Sequence, residues 1–452
     1  MSGTNGSSDL ETMLGDPRRA VRRMSIPLIV SFLIVQINTF ADSAWVAGLG
    51  TDASSAVTVI SPVYWILNGI GMGVGIGAST VIARHLARGE NGRGDHAAGQ
   101  AIVFSLLVSI LCIPVSTLLI SPLVSFMGAD DVMGDCIAYM LPMTLLCTFN
   151  ILCGTMSEVV SSEGATRKTM ILMGSSAAIN IVLDPILIYT LDMGIAGAGL
   201  ATAVSTIPAC VICLWWFRTG RTVLHPTFKG YRPDMDVLKG ILQVGLPRAG
   251  EYTVIYLMAM IQRIFVIVAG GTEGVALYSM TWSYVSMSNV IAMGIGAALV
   301  PICSAALGCR RLDKALDAYW YSMRLCLVVM TVLAIVLFVF AEWVVIPFTY
   351  TGSMMELRPE FVWVLRLYSL FVPVIGFIEL GSCMLQAMRH AKASLASSFI
   401  RNMMIVSLMA VTCGIGFHET LYGLAFSEFF GAALMTGLVM LYIREYRRMV
   451  PG

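Results

Sequence analysis

The chain alternates long apolar runs with short polar breaks. Runs near residues 24 to 49, 55 to 83, 97 to 120, 133 to 156, 168 to 190, 195 to 217, 238 to 268, 275 to 300, 315 to 342, 360 to 385, 393 to 415 and 420 to 443 each offer about the ~20 residues a helix needs to cross ~30 Å of hydrocarbon. This predicts twelve membrane-spanning helices. The stretch from Ser322 to Ala341 is almost continuously apolar, whereas a spanning β-barrel shows alternating segments of ~10 residues, so a barrel is excluded. Composition agrees: 57% of the 452 residues are hydrophobic and only 12% charged, against about 25% charged in soluble proteins.

Charge placement tests the span count independently, because Lys and Arg collect in cytoplasmic connections. The first 17 residues are polar and Gly/Ser-rich, and Arg18, Arg19, Arg22 and Arg23 precede the first apolar run. That run continues for about 25 residues without a small-x-small cleavage site, so it stays as the first span rather than a removed signal. Alternate connections then carry Arg84, Arg88 and Arg93; Arg167 and Lys168; Arg218, Arg221, Lys229, Arg232 and Lys239; Arg310, Arg311 and Lys314; Arg389 and Lys392; and Arg444, Arg447 and Arg448. The opposite connections together carry Arg358 alone. Both termini are expected in the cytoplasm.

The longest internal hydrophilic stretch, Arg218 to Lys239, falls between spans six and seven. Residues 1–23 are assigned to a cytoplasmic segment, 24–217 to a first lobe, 218–237 to a cytoplasmic linker, 238–443 to a second lobe and 444–452 to a cytoplasmic tail. The halves resemble each other. Gly50-Thr51-Asp52 precedes Gly271-Thr272-Glu273 by 221 residues, and the run from Ile70 to Gly75 precedes that from Ile291 to Gly296 by the same 221; Gly199-Leu200-Ala201 precedes Gly423-Leu424-Ala425 by 224. An even number of spans per half makes this a parallel repeat. The expected fold is all-α and integral to the membrane, with two six-helix lobes in a V around a central cavity.

A charge at the centre of a span costs roughly 2.5 to 3.5 kcal/mol on insertion scales and calls for a function or a partner. Asp42 lies ~27 Å along the first helix from Met24, and Asp184 lies ~24 Å along the fifth from Lys168, at ~1.5 Å per residue. Both reach the outer half. Asn180 shares a helix face with Asp184, and Thr202 sits about two turns into the descending span six. These four offer carboxylate, amide and hydroxyl oxygens, which suit a hard cation or a shared proton and not zinc. Pro185 beside Asp184 supplies a hinge. In the repeat, Asp42 matches Arg263 and Asp184 matches Leu408, so only the first half carries the acids. Glu251, one turn after Arg248, is read as its ion-pair partner or as part of a cavity. Arg263 and Arg401 are set against Glu379 and Glu428, with the pairing open. Glu158 and Glu163, near the inner end of span four, read as solvated.

Other features carry less chemistry. The eleven cysteines lie mostly in apolar runs and form no disulfide framework, and Cys210 and Cys213 lack a second pair or a histidine to complete a zinc site. No histidine falls mid-span. Gly69, Gly71, Gly73, Gly75 and Gly77 lack the Lys-Ser/Thr of a phosphate loop and read as close helix packing. Thirty methionines, Met173 among them, suit an adaptable cavity. A balanced 28 basic and 27 acidic residues gives no reason to expect nucleic acid. No nucleophile or metal constellation indicates an enzyme.

Asn180-Ile-Val-Leu-Asp184-Pro185 followed by Gly197-Ala-Gly-Leu-Ala-Thr202, with Asp42-Ser-Ala-Trp-Val-Ala-Gly-Leu-Gly50, Ser162-Glu-Gly-Ala-Thr-Arg167 and Gly245-Leu-Pro-Arg-Ala-Gly-Glu251, resembles the multidrug and toxic compound extrusion (MATE) transporters over roughly residues 24 to 443. The Asn-x-x-x-Asp-Pro segment resembles the DinF-like branch. That resemblance implies a sodium or proton site at Asp42, Asn180, Asp184 and Thr202, with the Ala198 carbonyl, and a cavity or hinge set of Asn38, Pro185, Met173 and Glu251. It implies a multi-pass protein of the cell membrane, monomeric and in contact with lipid. Such a protein exports amphipathic, often cationic small molecules in exchange for H+ or Na+ and needs no cofactor. The NorM-like branch has an acid where this chain has Ile255, and relatives often carry Gly-Gln-Asn where Cys303-Ser-Ala-Ala-Leu-Gly308 stands. A flippase of lipid-linked substrates in the same superfamily is the alternative expectation.

Overall fold

The computed structural model describes residues 4–127, 129–228, 231–349 and 355–449. Lys229 of the linker and the ends of the N-terminal segment and tail lie outside them. The described residues are almost wholly helical: α1 (Thr4–Leu14), α2 (Pro17–Ala47), α3 (Thr51–Ala87), α4 (Asn91–Phe126), α5 (Met133–Leu145), α6 (Cys147–Ser161), α7 (Thr166–Pro185) and α8 (Gly194–Thr219) precede the linker. After it come α9 (Met235–Gly271), α10 (Glu273–Gly308), α11 (Leu312–Val339), α12 (Arg358–Ala387), α13 (Ala391–Thr412) and α14 (Phe417–Met449). Eleven of these are long and apolar enough to cross a membrane, and the pair α5 and α6, bent by 54°, makes a twelfth span.

Three differences from the sequence expectation have local causes. The fourth span is broken at Leu146 (φ −102°, ψ 11°), one turn after Pro142. Spans seven and eight are separated by little more than Gly271, whose φ of +61° and ψ of −155° turn the chain in a conformation open to glycine. The polar N-terminal stretch is not a featureless leader but contains α1. Met13 of α1 is 3% exposed and Leu10 packs against the cores of both lobes. Lys314 Nζ reaches the carbonyls of Leu14 (3.5 Å) and Gly15 (3.3 Å), Arg18 pairs with Asp317 at 2.9 Å, and Asp9 abuts Gly164 of the first lobe. The helix therefore bridges the lobes at the face that carries the linker.

The lobes form a V whose backbone-to-backbone approaches lie in the linker-side halves of the spans. A Cβ on Gly73 would meet the Gly245 carbonyl at 2.7 Å, and one on Gly77 would collide with the Ile241 carbonyl. Gly294 of α10 lies equally close to Ile29 of α2. The glycine run of α3 thus lets α3 and α9 touch backbone to backbone, as expected of small residues in membrane helices. Arg84 donates to the Ala387 carbonyl (2.6 Å) and Arg88 to that of Gly308 (2.9 Å), fastening the same face.

The linker is held to the first lobe. Asp95 accepts from His225 N (2.6 Å), Gln100 donates to the Arg232 carbonyl (2.6 Å), and His96 lies 3.2 Å from Asp234. Glu163 is not solvated: it is fully buried, accepts from Val223 N (2.8 Å) and Leu224 N (2.9 Å), and faces Lys168 at 3.5 Å. Burial pushes its carboxyl up to about 7, the Lys168 charge and the backbone donors opposing.

Two outcomes follow from this packing. Glu163 holds a proton in the folded chain that the unfolded chain releases near the ordinary glutamate value of 4.5, so its stabilising contribution is complete below pH 4.5 and lost as pH rises through 7, up to ~3 kcal/mol in all. Thermal melts of wild type and Glu163→Gln across pH 4.5 to 8 should differ by a flatter profile in the variant; identical slopes would refute the assignment. Gly77→Val should separate the lobes at the linker face, read as increased labelling of a cysteine placed at Ile241. Unchanged labelling would show that the contact is not needed for closure.

Candidate functional site

Among the polar groups buried in the apolar interior, two clusters of the described residues bear on function, one in each lobe. In the first lobe, Asp42 is carried by α2 five residues before its end, and Asn180 and Asp184 by successive turns of α7. Pro185 ends α7, and a wide turn, Ile186–Thr190, follows it. A proline cannot donate the next helical hydrogen bond, so the helix widens just after Asp184. Tyr189 of that turn donates to the Trp45 carbonyl (2.5 Å), tying the widened segment to α2.

The carboxylates of Asp42 and Asp184 face each other. Asp184 is 1% exposed and Asn180 equally buried. With its amide turned to satisfy its neighbours, the Asn180 nitrogen donates to Asp42 Oδ1 and Asn38 Oδ1, both at 2.8 Å, and its oxygen accepts from Thr202 N at 3.2 Å. Turned the other way, the nitrogen donates to Asp184 Oδ1 at 3.4 Å. The Thr202 hydroxyl lies 3.1 Å from the Ala198 carbonyl, and Asp184 Oδ2 is buried without a donor among the described residues. Asp42, Asn180, Asp184, Thr202, Ala198 and Asn38 are therefore brought together. Tyr64 and Tyr139, which sequence reasoning missed, stand beside them. Met173 is half-buried on α7 seven residues before Asn180 and is not among the residues that meet here.

The set of carboxylate, amide, hydroxyl and carbonyl groups carries two formal negative charges, and among the described residues no lysine or arginine is paired to either acid. It fits a proton shared between the acids, or a hard monovalent cation. Sulfur and imidazole, which softer metals prefer, are absent from it.

In the second lobe, Arg248 and Glu251 are both nearly sealed from solvent. Arg248 donates to Glu251 (2.9 Å), Ser382 (3.2 Å), Tyr252 (3.1 Å) and Glu379 (2.8 Å). Glu251 also accepts from Ser382 (3.1 Å), Ser394 (3.3 Å) and Ser398 (2.6 Å). Glu251 is thus fully occupied inside the lobe rather than lining the space between the lobes. Ser394 and Ser398, four apart on α13, present one polar face; that spacing was the available signal for this network. Arg401 pairs with Glu428 at 2.8 Å, while Glu379 is taken by Arg248. Arg263 lies half-buried near Tyr278.

Comparison with known proteins places this architecture. The multidrug export protein MepA of Staphylococcus aureus (strain MRSA252) is 24% identical over 435 residues, 94% of each chain, and MepA of Staphylococcus saprophyticus is 24% identical over 440 residues with the same coverage. Among solved structures, a MATE protein in complex with MaL6 matches with a TM-score of 0.93 at 26% identity, covering 98% of this chain and 100% of that one. A multidrug resistance MATE transporter of the MOP superfamily in an outward-facing conformation matches with a TM-score of 0.92 at 25% identity, covering 99% and 100%. The MatE family profile matches residues 27–186 and 247–412, most of both lobes, and the chain belongs to the MatE family of multi-pass membrane transporters.

Proposed function

We propose that this protein is a secondary active multidrug exporter. It moves amphipathic, often cationic compounds out of the cell in exchange for H+ or Na+, by alternating access of the space between its lobes. The observation that carries the reading is the Asp42–Asn180–Asp184 cluster. Two acids in an apolar lobe face each other beside one amide, and Asp184 Oδ2 has no donor among the described residues, an arrangement completed by a proton or a small cation. The multidrug export proteins among its relatives support the cargo class.

The cycle follows from the two clusters. An outward-open V admits the coupling ion to the outer half, where Asp42 and Asp184 lie. Ion binding removes the repulsion between the acids, lets the carboxyls approach, and changes the bend beyond Pro185, reshaping the first lobe's wall of the cavity. Glu251, locked among Arg248 and three serines, keeps the second lobe rigid. Arg401–Glu428 is a buried pair of the same structural kind, so the second lobe acts mainly as wall and gate. A basic cavity suited to pyrophosphate-linked lipids is not what the lobes present: Arg248 is already matched by Glu251 and Glu379.

Proteoliposomes holding the purified protein, with sodium and proton gradients imposed separately, should export an organic cation under at least one of them. Neither gradient driving transport would overturn the proposal. Asp42→Asn and Asp184→Asn should each reduce gradient-driven export at least tenfold while leaving the melting temperature within a few degrees of wild type. Glu428→Gln should affect coupling less than either. Loss of coupling in Glu428→Gln with normal coupling in both aspartate variants would move the ion site to the second lobe.

A further inference from the structure

Between the lobes, on the linker side of the centre, lies a small cavity walled by Glu158 of α6, Met72 and Ile76 of α3, Arg248 and Tyr252 of α9, and Glu379 of α12. Its charges do not balance. Arg248 is the cation of this wall, and it already answers Glu251 at 2.9 Å and Glu379 at 2.8 Å. Glu158 projects into the same space and takes no hydrogen bond or ion pair among the described residues; the Arg248 charge acts on it only from a distance. Its stem is held in place, because Glu158 Cβ and Cγ lie against Gly75, where a Cβ would meet them at 2.7 and 2.8 Å. The Arg248 side chain is 4% exposed, and its Nε has no acceptor among the described residues. An aromatic series leads to this point along the seam of α3 and α9: Trp65 stacks on Tyr256 (6.0 Å), Tyr256 on Tyr252 (6.4 Å), and the Arg248 guanidinium lies 4.6 Å over the Tyr252 ring. Ring faces of this kind attract organic cations.

We infer that Glu158 is the charge-selecting residue for cargo: it binds the positive centre of a lipophilic organic cation where the lobes part on the linker side, with Tyr252 and Tyr256 receiving its apolar or aromatic body. This rests on the export reading and deepens it by assigning a cargo residue apart from the Asp42–Asp184 cluster. As the lobes stand here, the cavity has a volume of about 20 Å³, room for a single water, so cargo is held with the seam open. Closing the seam over a bare carboxylate is costly. With the seam open that carboxylate is answered by a cation, which ties cargo occupancy to the sign of its charge.

Tetraphenylphosphonium and tetraphenylborate have nearly the same shape and opposite charge, and their binding to the purified full chain is measured by equilibrium dialysis. Wild type should bind the phosphonium at least tenfold more tightly than the borate. Glu158→Gln should lose at least tenfold in phosphonium affinity while borate affinity stays level or rises. If Glu158→Gln does not fold, Glu158→Asp, which keeps the charge but withdraws it by one methylene, must weaken phosphonium binding severalfold. Phosphonium binding unchanged in the folded variant overturns the role of Glu158 and leaves the export reading standing. A wild type that binds no phosphonium overturns the cation-export reading itself, and the cargo residue with it.

Discussion

Two carboxylates placed together in an apolar lobe, with no basic side chain paired to them among the described residues, are the constraint on which the rest of this structure depends. Membrane helices accept ionisable groups only where something compensates the charge. Around Asp42 and Asp184 the compensation is partial: one amide and a few oxygens, with a carboxyl atom of Asp184 left without a donor. A site that its own side chains do not complete is one whose energy changes steeply when a proton or cation arrives. On the proposed reading, its position next to Pro185 and the widened turn Ile186–Thr190 couples that energy to the shape of α7.

The second lobe solves the same problem in the opposite way. Glu251 is saturated by Arg248, Ser382, Ser394 and Ser398, and Glu428 by Arg401. Removing one partner from such a buried pair is costly, about 3–5 kcal/mol, which makes these clusters rigid rather than responsive. The two lobes share a parallel repeat but not a chemistry. One has an unfinished set of oxygens, the other closed ion pairs, and the glycine-lined seam between α3 and α9 allows them to meet without bulky side chains between them.

Much of this was legible in the sequence because membrane solvation imposes a period and a length. The twelve spans, the parallel repeat and the gathering of Asp42, Asn180, Asp184 and Thr202 followed from apolar runs, shared offsets and helical spacing. Contacts between distant segments were not legible. Glu163 read as solvated because it flanks a basic connection, yet the linker folds back to donate two backbone N–H groups to it. Glu158, read the same way, lines the cavity between the lobes with Arg248, Tyr252 and Glu379, a meeting of distant segments that local spacing does not show. The helix in the polar N-terminus was missed because its stability comes from packing Met13 and Leu10 on the lobes rather than from local pattern.

The central claim, that Asp42 and Asp184 form one ion-responsive pair, is tested most directly by infrared difference spectroscopy on the purified protein as pH is raised or sodium is added. The account predicts a protonated-carboxyl band that disappears on one of these changes and is absent from the spectrum of the Asp42→Asn/Asp184→Asn double variant. A responsive band that persists in the double variant, or no responsive carboxyl band in the wild type, would contradict it.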